Sequence, residues 1–321
     1  MPAAAALPVD PTAPLFIVMN AGSGHDDAAA ARKIIEQALH DAGREYRFAL
    51  VDDPARLRKL AEDTVSEAQT HGGIVVAAGG DGTINAVANA TYPTDCPFAV
   101  LPRGTFNFFS RAHGIPADTA EAVNVLLTSR AHPVQVGLVN GRVFLVNASL
   151  GLYPQVLEDR EAYKQQLGRN RWVALVSGLM TVLRHHRELT LDIEHAGTAQ
   201  HVRTPTLFVG NNQLQLERIG IHEAPALEHG RLVALMLRPV SVLEMLWLVA
   251  RGAFGTLGDA DQVVSFAFDR ITVRPRGRKR YLKIATDGEI VRLEPPIEFK
   301  VAPKPLFLLK PEPHAHAEQP L

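Results

Sequence analysis

The sequence predicts an α/β plus β architecture, with an N-terminal doubly wound α/β domain and a C-terminal antiparallel β-sandwich-like domain. Three observations carry this. Two short apolar runs, residues 15–19 and 74–78, each meet a glycine-rich loop and then a helical pattern, the opening unit of a doubly wound sheet. The chain changes character near Pro133, beyond which strand patterns recur. An Asn140-Gly141 pair between the runs 134–139 and 143–148 is a hairpin signature.

The totals bound the possibilities. The 321 residues are 46% hydrophobic and 21% charged, enough apolar material for two medium domains. The net charge of −1 provides no global field toward nucleic acid, so no nucleic-acid partner is expected. A single cysteine, Cys96, excludes an intrachain disulfide and fits a reducing compartment. Residues 1–13 are rich in Ala and Pro without a basic leader region, and no run reaches the ~18 apolar residues of a spanning helix. A cytoplasmic protein is expected, meeting a membrane only peripherally, at its inner face. Residues 1–13 and 311–321 read as disordered tails.

Taken in order, the first strand at 15–19 leads into the loop Asn20-Ala21-Gly22-Ser23-Gly24. A helix through Ile34, Ile35, Ala38 and Leu39 follows and stops at Gly43. Residues 46–51 form the second strand. Asp53 before Pro54 is an N-cap candidate for a helix with Leu57, Leu60, Ala61 and Val65 on one face. A buried parallel strand at 74–78, a helix carrying Asn85, Val87, Ala88 and Ala90, a strand at 98–101 and a helix at 117–129 complete the first domain, residues 14–133. The second domain, residues 134–299, holds strands at 189–194, 206–209, 232–237, 263–268, 271–273 and 281–284. It also holds two apolar helical segments. Residues 171–183 are bracketed by Arg169, Arg171, Arg184 and Arg187, and residues 241–257 carry Trp247 and Phe254. Each reads equally as a core helix or as one lying in a bilayer surface.

The chemistry is concentrated in Gly79-Gly80-Asp81-Gly82-Thr83-Ile84-Asn85. Glycines there let the backbone turn and approach a ligand closely. The following helix presents unpaired N–H groups that suit phosphate. An acid beside bound phosphate needs a cation between them, which implies Mg²⁺ at Asp81. The plainer alternative is a tight strand-to-helix turn. Asn20 to Gly24 invites the same pair of readings. In Pro102 to Asn107, Gly104 lets the chain bend, and the Thr105 hydroxyl and Asn107 amide can reach phosphate or a metal's water shell. Phe108 and Phe109 read as packing residues. Asp287-Gly288-Glu289 reads as a turn after a strand. The cations from Arg270 to Lys283 could grip phosphate or form a solvated hairpin edge.

Three of these motifs resemble one family. Gly79 to Thr83 is similar to the nucleotide loop of diacylglycerol kinases, sphingosine kinases, NAD kinases and phosphofructokinases. Asn20 to Gly24 resembles the opening signature of lipid kinases. Pro102 to Arg111 resembles their Pro-x-Gly-Thr-x-Asn-Asp-Phe-Ala-Arg block, which NAD kinases lack. The chain thus looks like a bacterial diacylglycerol kinase-like lipid kinase from about residue 15 to about residue 309.

The resemblance implies a nucleotide-binding first domain, completed by a returning strand within residues 299–309. It implies ATP with Mg²⁺ as cofactors, chemistry where the domains meet, and a membrane lipid substrate: diacylglycerol, phosphatidylglycerol, ceramide or a sphingoid base. Glu289 would be the base that takes the lipid hydroxyl's proton, and Asp81 would organise metal and phosphate, or act as the rival base. Two departures stand out. Asp52 sits where the family usually has a nucleotide-touching Thr. His229 sits where a structural Mg²⁺ ligand is expected, so that site is expected to be absent or remodelled. A soluble-metabolite kinase of the NAD kinase type and a non-catalytic nucleotide- or lipid-binding regulator remain as alternatives. No heptad pattern fixes an oligomeric state.

Overall fold

A computed structural model describes residues 6–20, 25–152, 154, 188–277 and 280–312. The predicted helix at 171–183, loop residues Ala21 to Gly24, and residues 1–5 and 313–321 of the predicted tails lie outside the described residues. The chain divides into two compact units, Met1–Val134 with Lys304–Leu321, and Gln135–Pro303.

The first unit is a six-stranded sheet. Its strands are β1 (Leu15–Asn20), β2 (Tyr46–Val51), β3 (Ile74–Gly79), β4 (Phe98–Pro102), β5 (Arg130–Val134) and β18 (Leu306–Lys310), in the order β2-β1-β3-β4-β18-β5. All pairings are parallel except β18 with β5. β3 and β4 are apolar along their whole length and buried throughout, the pattern of strands covered on both faces. Helix α1 (His25–Asp41) packs against α5 (Thr119–Thr128), and α2 (Leu57–Thr70) against α3 (Asp81–Thr91), while the short α4 (Phe108–Ala112) follows β4. Right-handed crossovers between the parallel strands put α1 on the face opposite α2 and α3, and α5 joins α1 there. The Asp53 carboxylate accepts the Ala55 N–H at 2.9 Å and starts the short turn at Pro54–Arg56.

Strand register sets the site. Met19 lies beside Ala78, and Gly79 beside Pro102. The loops leaving the carboxyl ends of β1, β3 and β4 are therefore neighbours. This is where open α/β sheets take their ligands.

The second unit contains two antiparallel six-stranded sheets. One comprises β6 (Gly137–Val139), β7 (Arg142–Phe144), β9 (Leu189–His195), β10 (Thr198–Thr204), β14 (Arg270–Pro275) and β17 (Ile297–Val301). The other comprises β8 (Asn147–Gly151), β11 (Thr206–Gly210), β12 (Leu232–Leu237), β13 (Val263–Phe268), β15 (Leu282–Thr286) and β16 (Glu289–Leu293). One apolar core draws on both, with Phe144, Leu191 and Phe299 from the first and Leu150, Leu207 and Ile284 from the second. The sandwich expected from the strand pattern is thereby met. The unit also holds helices α6 (Gln213–Arg218) and α7 (Val242–Ala253).

Two sequence expectations need correction. The predicted hairpin forms, with Asn140 and Gly141 both at positive φ (45° and 81°), as a two-residue turn matched to strand twist requires. Its second strand, however, is not continuous over 143–148. It ends at Phe144, and the chain changes sheet before Asn147. The returning segment at 299–309 is also two strands. β17 pairs with β14 and β6 in the second unit, and only β18 joins β4 and β5. Pro303 and Pro305 lack the N–H that a continuous ladder needs.

Candidate active site

The glycines after β3 and β4 form one cradle. The Arg103 N–H donates to the Gly79 carbonyl at 2.8 Å, tying the two loops together. A Cβ on Gly80 would lie 3.5 Å from Gly104 Cα, and one on Gly104 only 3.0 Å from Gly80 Cα. A Cβ on Gly79 would strike the Thr83 side chain at 2.6 Å. Backbone thus meets backbone here, leaving main-chain groups at the surface instead of side chains. Gly82 falls in the first turn of α3.

Asn107 holds the second loop closed. Its Oδ1 accepts the Gly104 N–H and its Nδ2 donates to the Gly104 carbonyl, both at 2.9 Å. It sits at φ 47°, ψ 41°, a left-handed conformation that Asn tolerates better than most residues. The Asn107 amide is therefore engaged within its own loop, whereas the sequence suggested a group reaching outward. The neighbouring Thr105 is exposed. Asn85 is buried in α3, where its Oδ1 accepts from Asn89 at 3.0 Å.

Asp81 stands at the first position of α3, facing this loop. Its carboxylate accepts the backbone N–H groups of Asn107 and Phe108. Its Oδ1 is buried and has no hydrogen-bond partner. Burial raises its pKa above the ordinary carboxylate range, and the two N–H donors offset part of that rise. A buried carboxylate oxygen without a partner is costly, so the site suits a cation. Among the described residues no cluster of three His, Cys, Asp or Glu side chains could hold a metal alone. One carboxylate oxygen beside a backbone cradle fits Mg²⁺ whose other ligands are phosphate oxygens and water.

The remaining predicted residues of the first unit fall around the cradle's edge. The Asn20 carbonyl lies 3.5 Å from Arg103 Nη1. Phe109 is buried edge-on to His113 at 4.7 Å, as a packing residue should be. Phe106, which the motif reading passed over, is exposed and stacks on Phe108 at 5.7 Å with planes 3° apart. Asp52 is exposed beyond β2.

In the second unit, Asp287 and Gly288 form the turn between β15 and β16, at φ 47° and 89°. The Asp287 carboxylate is turned inward. It accepts the N–H of Leu145 at 2.7 Å, of Val146 at 2.8 Å and of Asn147 at 2.9 Å. Those are the residues where the chain changes sheet. Glu289 follows at the start of β16, exposed and opposite Thr286. Asn147 Nδ2 donates to Gln215 Oε1 at 3.0 Å. No sequence motif flagged the Asp287 anchor, because its partners are 140 to 142 residues distant.

His229 ends the short turn Ala224–His229. Its Nδ1 lies 3.2 Å from the Pro225 carbonyl, and Gly230 caps the turn at φ 74°. Of the cations between Arg270 and Lys283, Arg274 pairs with Glu194 at 3.0 Å and Arg276 with Asp192 at 3.2 Å. They are cross-strand pairs on an exposed sheet face.

A doubly wound sheet whose glycine loops cradle an acid has a form that suits phosphate. Comparison with known proteins makes the class specific. Residues 14–139 match the diacylglycerol kinase catalytic domain. A YegS-like probable lipid kinase of Pseudomonas aeruginosa is 33% identical over 157 residues, 48% of this chain and 49% of that protein. The diacylglycerol kinase of Bacillus subtilis is 36% identical over 128 residues, 39% of this chain and 41% of that protein. The chain thus spans about half the length of the curated relatives it matches. A crystal structure of a diacylglycerol kinase from Bacillus anthracis superposes with a TM-score of 0.66 over 94% of this chain and 97% of that one, at 17% identity, which shows a shared fold. The resemblance read from the three motifs is borne out over residues 14–139, which match that catalytic domain.

Proposed function

We propose that this chain is an ATP-dependent lipid kinase, transferring the γ-phosphate of ATP to a hydroxyl of diacylglycerol or a related membrane lipid. The observation that supports it most is Asp81, whose unpartnered Oδ1 is held beside the Gly80–Gly104 cradle by two backbone N–H groups.

When bound, Mg²⁺·ATP supplies the phosphoryl group and neutralises charge as it transfers. The chain's own part is positioning. The main chain at Gly79, Gly80, Gly82, Thr83 and Gly104 receives phosphate, with Asn20, Ala21, Gly22, Ser23 and Gly24 alongside. Asn85 and Asn107 stiffen the elements that carry the cradle, and Thr105 offers its hydroxyl. Asp81 orients a cation. Glu289 takes the proton from the attacking lipid alcohol, general-base help typically worth ~10²–10⁴-fold. Asp287, anchored at 145–147, holds Glu289 at the rim of its turn.

We propose that the protein acts on its lipid from the cytoplasm, peripherally at the inner membrane face. No described helix is long and apolar enough to cross a membrane. We propose that the two compact units, 1–134 with 304–321 and 135–303, are the nucleotide and lipid domains, and that a second metal site at His229 is lost or remodelled. The test is transfer of label from ATP, with Mg²⁺, to diacylglycerol, phosphatidylglycerol, ceramide and sphingoid bases in mixed micelles. A labelled lipid supports the proposal. Tight nucleotide binding with no lipid product would turn it toward a soluble acceptor or a regulatory role.

A further inference from the structure

Helix α7 leaves an apolar stripe uncovered. Leu243 and Trp247, at i and i+4, share one side of the helix, and Phe254, its C-terminal cap, follows at i+11 in the same helical phase. They are 79%, 59% and 82% exposed. The other side is seated, with Met245 and Leu248 buried among Leu237, Val240 and Ala260. The helix has therefore filled its core face and still presents three large apolar side chains to solvent, more than the scattered single hydrophobics of an ordinary surface.

The stripe sits on a fixed support. A reciprocal capping box between Ser241 and Glu244 starts the helix. Its far end is locked through glycines. A Cβ on Gly220 would lie 2.0 Å from the Gly255 carbonyl oxygen, and one on Gly258 2.0 Å from the Gly220 carbonyl oxygen. Cations frame both ends. The Arg251 guanidinium lies 5.8 Å from the Trp247 ring centroid. The Arg218 main chain abuts Gly255 at the same end, and the exposed Arg238 stands just ahead of the Ser241 cap. Of the nearby acids, Glu244 is held by the Ser241 N–H at 2.7 Å, and Asp259 lies 3.0 Å from His222 and 3.9 Å from Arg251.

We propose that the Leu243, Trp247 and Phe254 face of α7 docks this unit on an anionic lipid surface. Three such side chains cover on the order of 500 Å², short of the ~800 Å² per partner that a stable protein interface buries. A bilayer needs no complementary groove, only apolar side chains that enter below the headgroups and cations that meet anionic phosphates. Tryptophan favours that boundary. The inference rests on the lipid kinase reading for its substrate, since an enzyme acting on an insoluble lipid must meet the bilayer from the side.

The test uses the full chain with Trp172→Phe, leaving Trp247 as the sole indole, and vesicles of phosphatidylcholine with and without phosphatidylglycerol. The expected result is a blue-shifted Trp247 emission, quenched by lipids brominated on the acyl chains, on anionic vesicles. The Leu243→Ser/Phe254→Ser variant should sediment with those vesicles about 100-fold more weakly, with an unchanged thermal transition. It should also keep wild-type phosphorylation of a dispersed short-chain diacylglycerol. Trp247 emission unchanged by vesicles, with short-chain lipid still phosphorylated, would overturn the docking face and leave the kinase reading intact. Docking without any lipid product would do the reverse. A concentration-dependent dimer that the double variant dissolves, without vesicle binding, would overturn the proposal in favour of self-association.

Discussion

Asp287 accepts the backbone N–H of Leu145 at 2.7 Å from 142 residues away. With Val146 and Asn147 it completes a three-donor pocket around one carboxylate. The corner where the chain passes from β7 to β8 is therefore organised by the residue two positions before Glu289. We expect Asp287→Ala to cost about 3–5 kcal/mol of stability, since three buried N–H groups lose a charged acceptor. Asp287→Asn, which keeps one acceptor oxygen, should cost less. Denaturant unfolding of the two variants checks the order.

Gly104→Ala tests the cradle. The new Cβ would sit 2.8 Å from Asn107 Oδ1 and 3.0 Å from Gly80 Cα. The loop has to open, at roughly 1–3 kcal/mol, and the surface offered to phosphate changes shape. Nucleotide affinity should fall at least ten-fold with the fold retained. Calorimetric titration with ATP and circular dichroism read the two effects separately.

His113 should shape the acid limb of stability. Its ring packs on Phe109, and burial, helped by Lys310, lowers its pKa to about 3. The unfolded chain takes up this proton near pH ~6.5, and the folded chain does not until about 3. Stability from this group is therefore complete above ~6.5 and declines as pH falls toward about 3. The residue keeps some accessible surface, so a limb shallower than that of a sealed histidine is expected. His113→Leu should flatten the fall in melting temperature between pH 6.5 and 4, roughly the window that shift defines.

Much of this was legible in the chain itself. The buried runs at 74–78 and 98–101 and the glycines after them fixed the sheet's ligand end, because parallel strands and tight turns leave local signatures. The Asn140-Gly141 turn was legible for the same reason. What escaped was long-range. The Asp287 anchor depends on partners distant in sequence, and the switch between sheets at Leu145 and Val146 leaves no periodic trace in a run of apolar residues. Asn107 carried a motif, but its closed bonding to Gly104 is a matter of loop geometry. The split of the returning segment was marked by Pro303 and Pro305 and could have been read from them.

Asp81 links pH, stability and activity in one residue. Its raised pKa means that ionisation of the carboxylate works against the ligand-free fold as pH rises through the ordinary carboxylate range toward its own value. Asp81→Asn removes that penalty and keeps an acceptor for Asn107 and Phe108. The ligand-free variant should melt at or above the wild-type temperature at neutral pH while losing phosphate transfer, as a thermal scan beside an activity assay would read.

The most direct measurement is the Mg²⁺ dependence of ATP affinity in wild type and Asp81→Asn, by titration calorimetry. Wild type should bind ATP at least ten-fold more tightly with Mg²⁺ than with a chelator, and the variant should show little difference between the two. Equal tightening by Mg²⁺ in both proteins would contradict the role assigned to the Asp81 carboxylate.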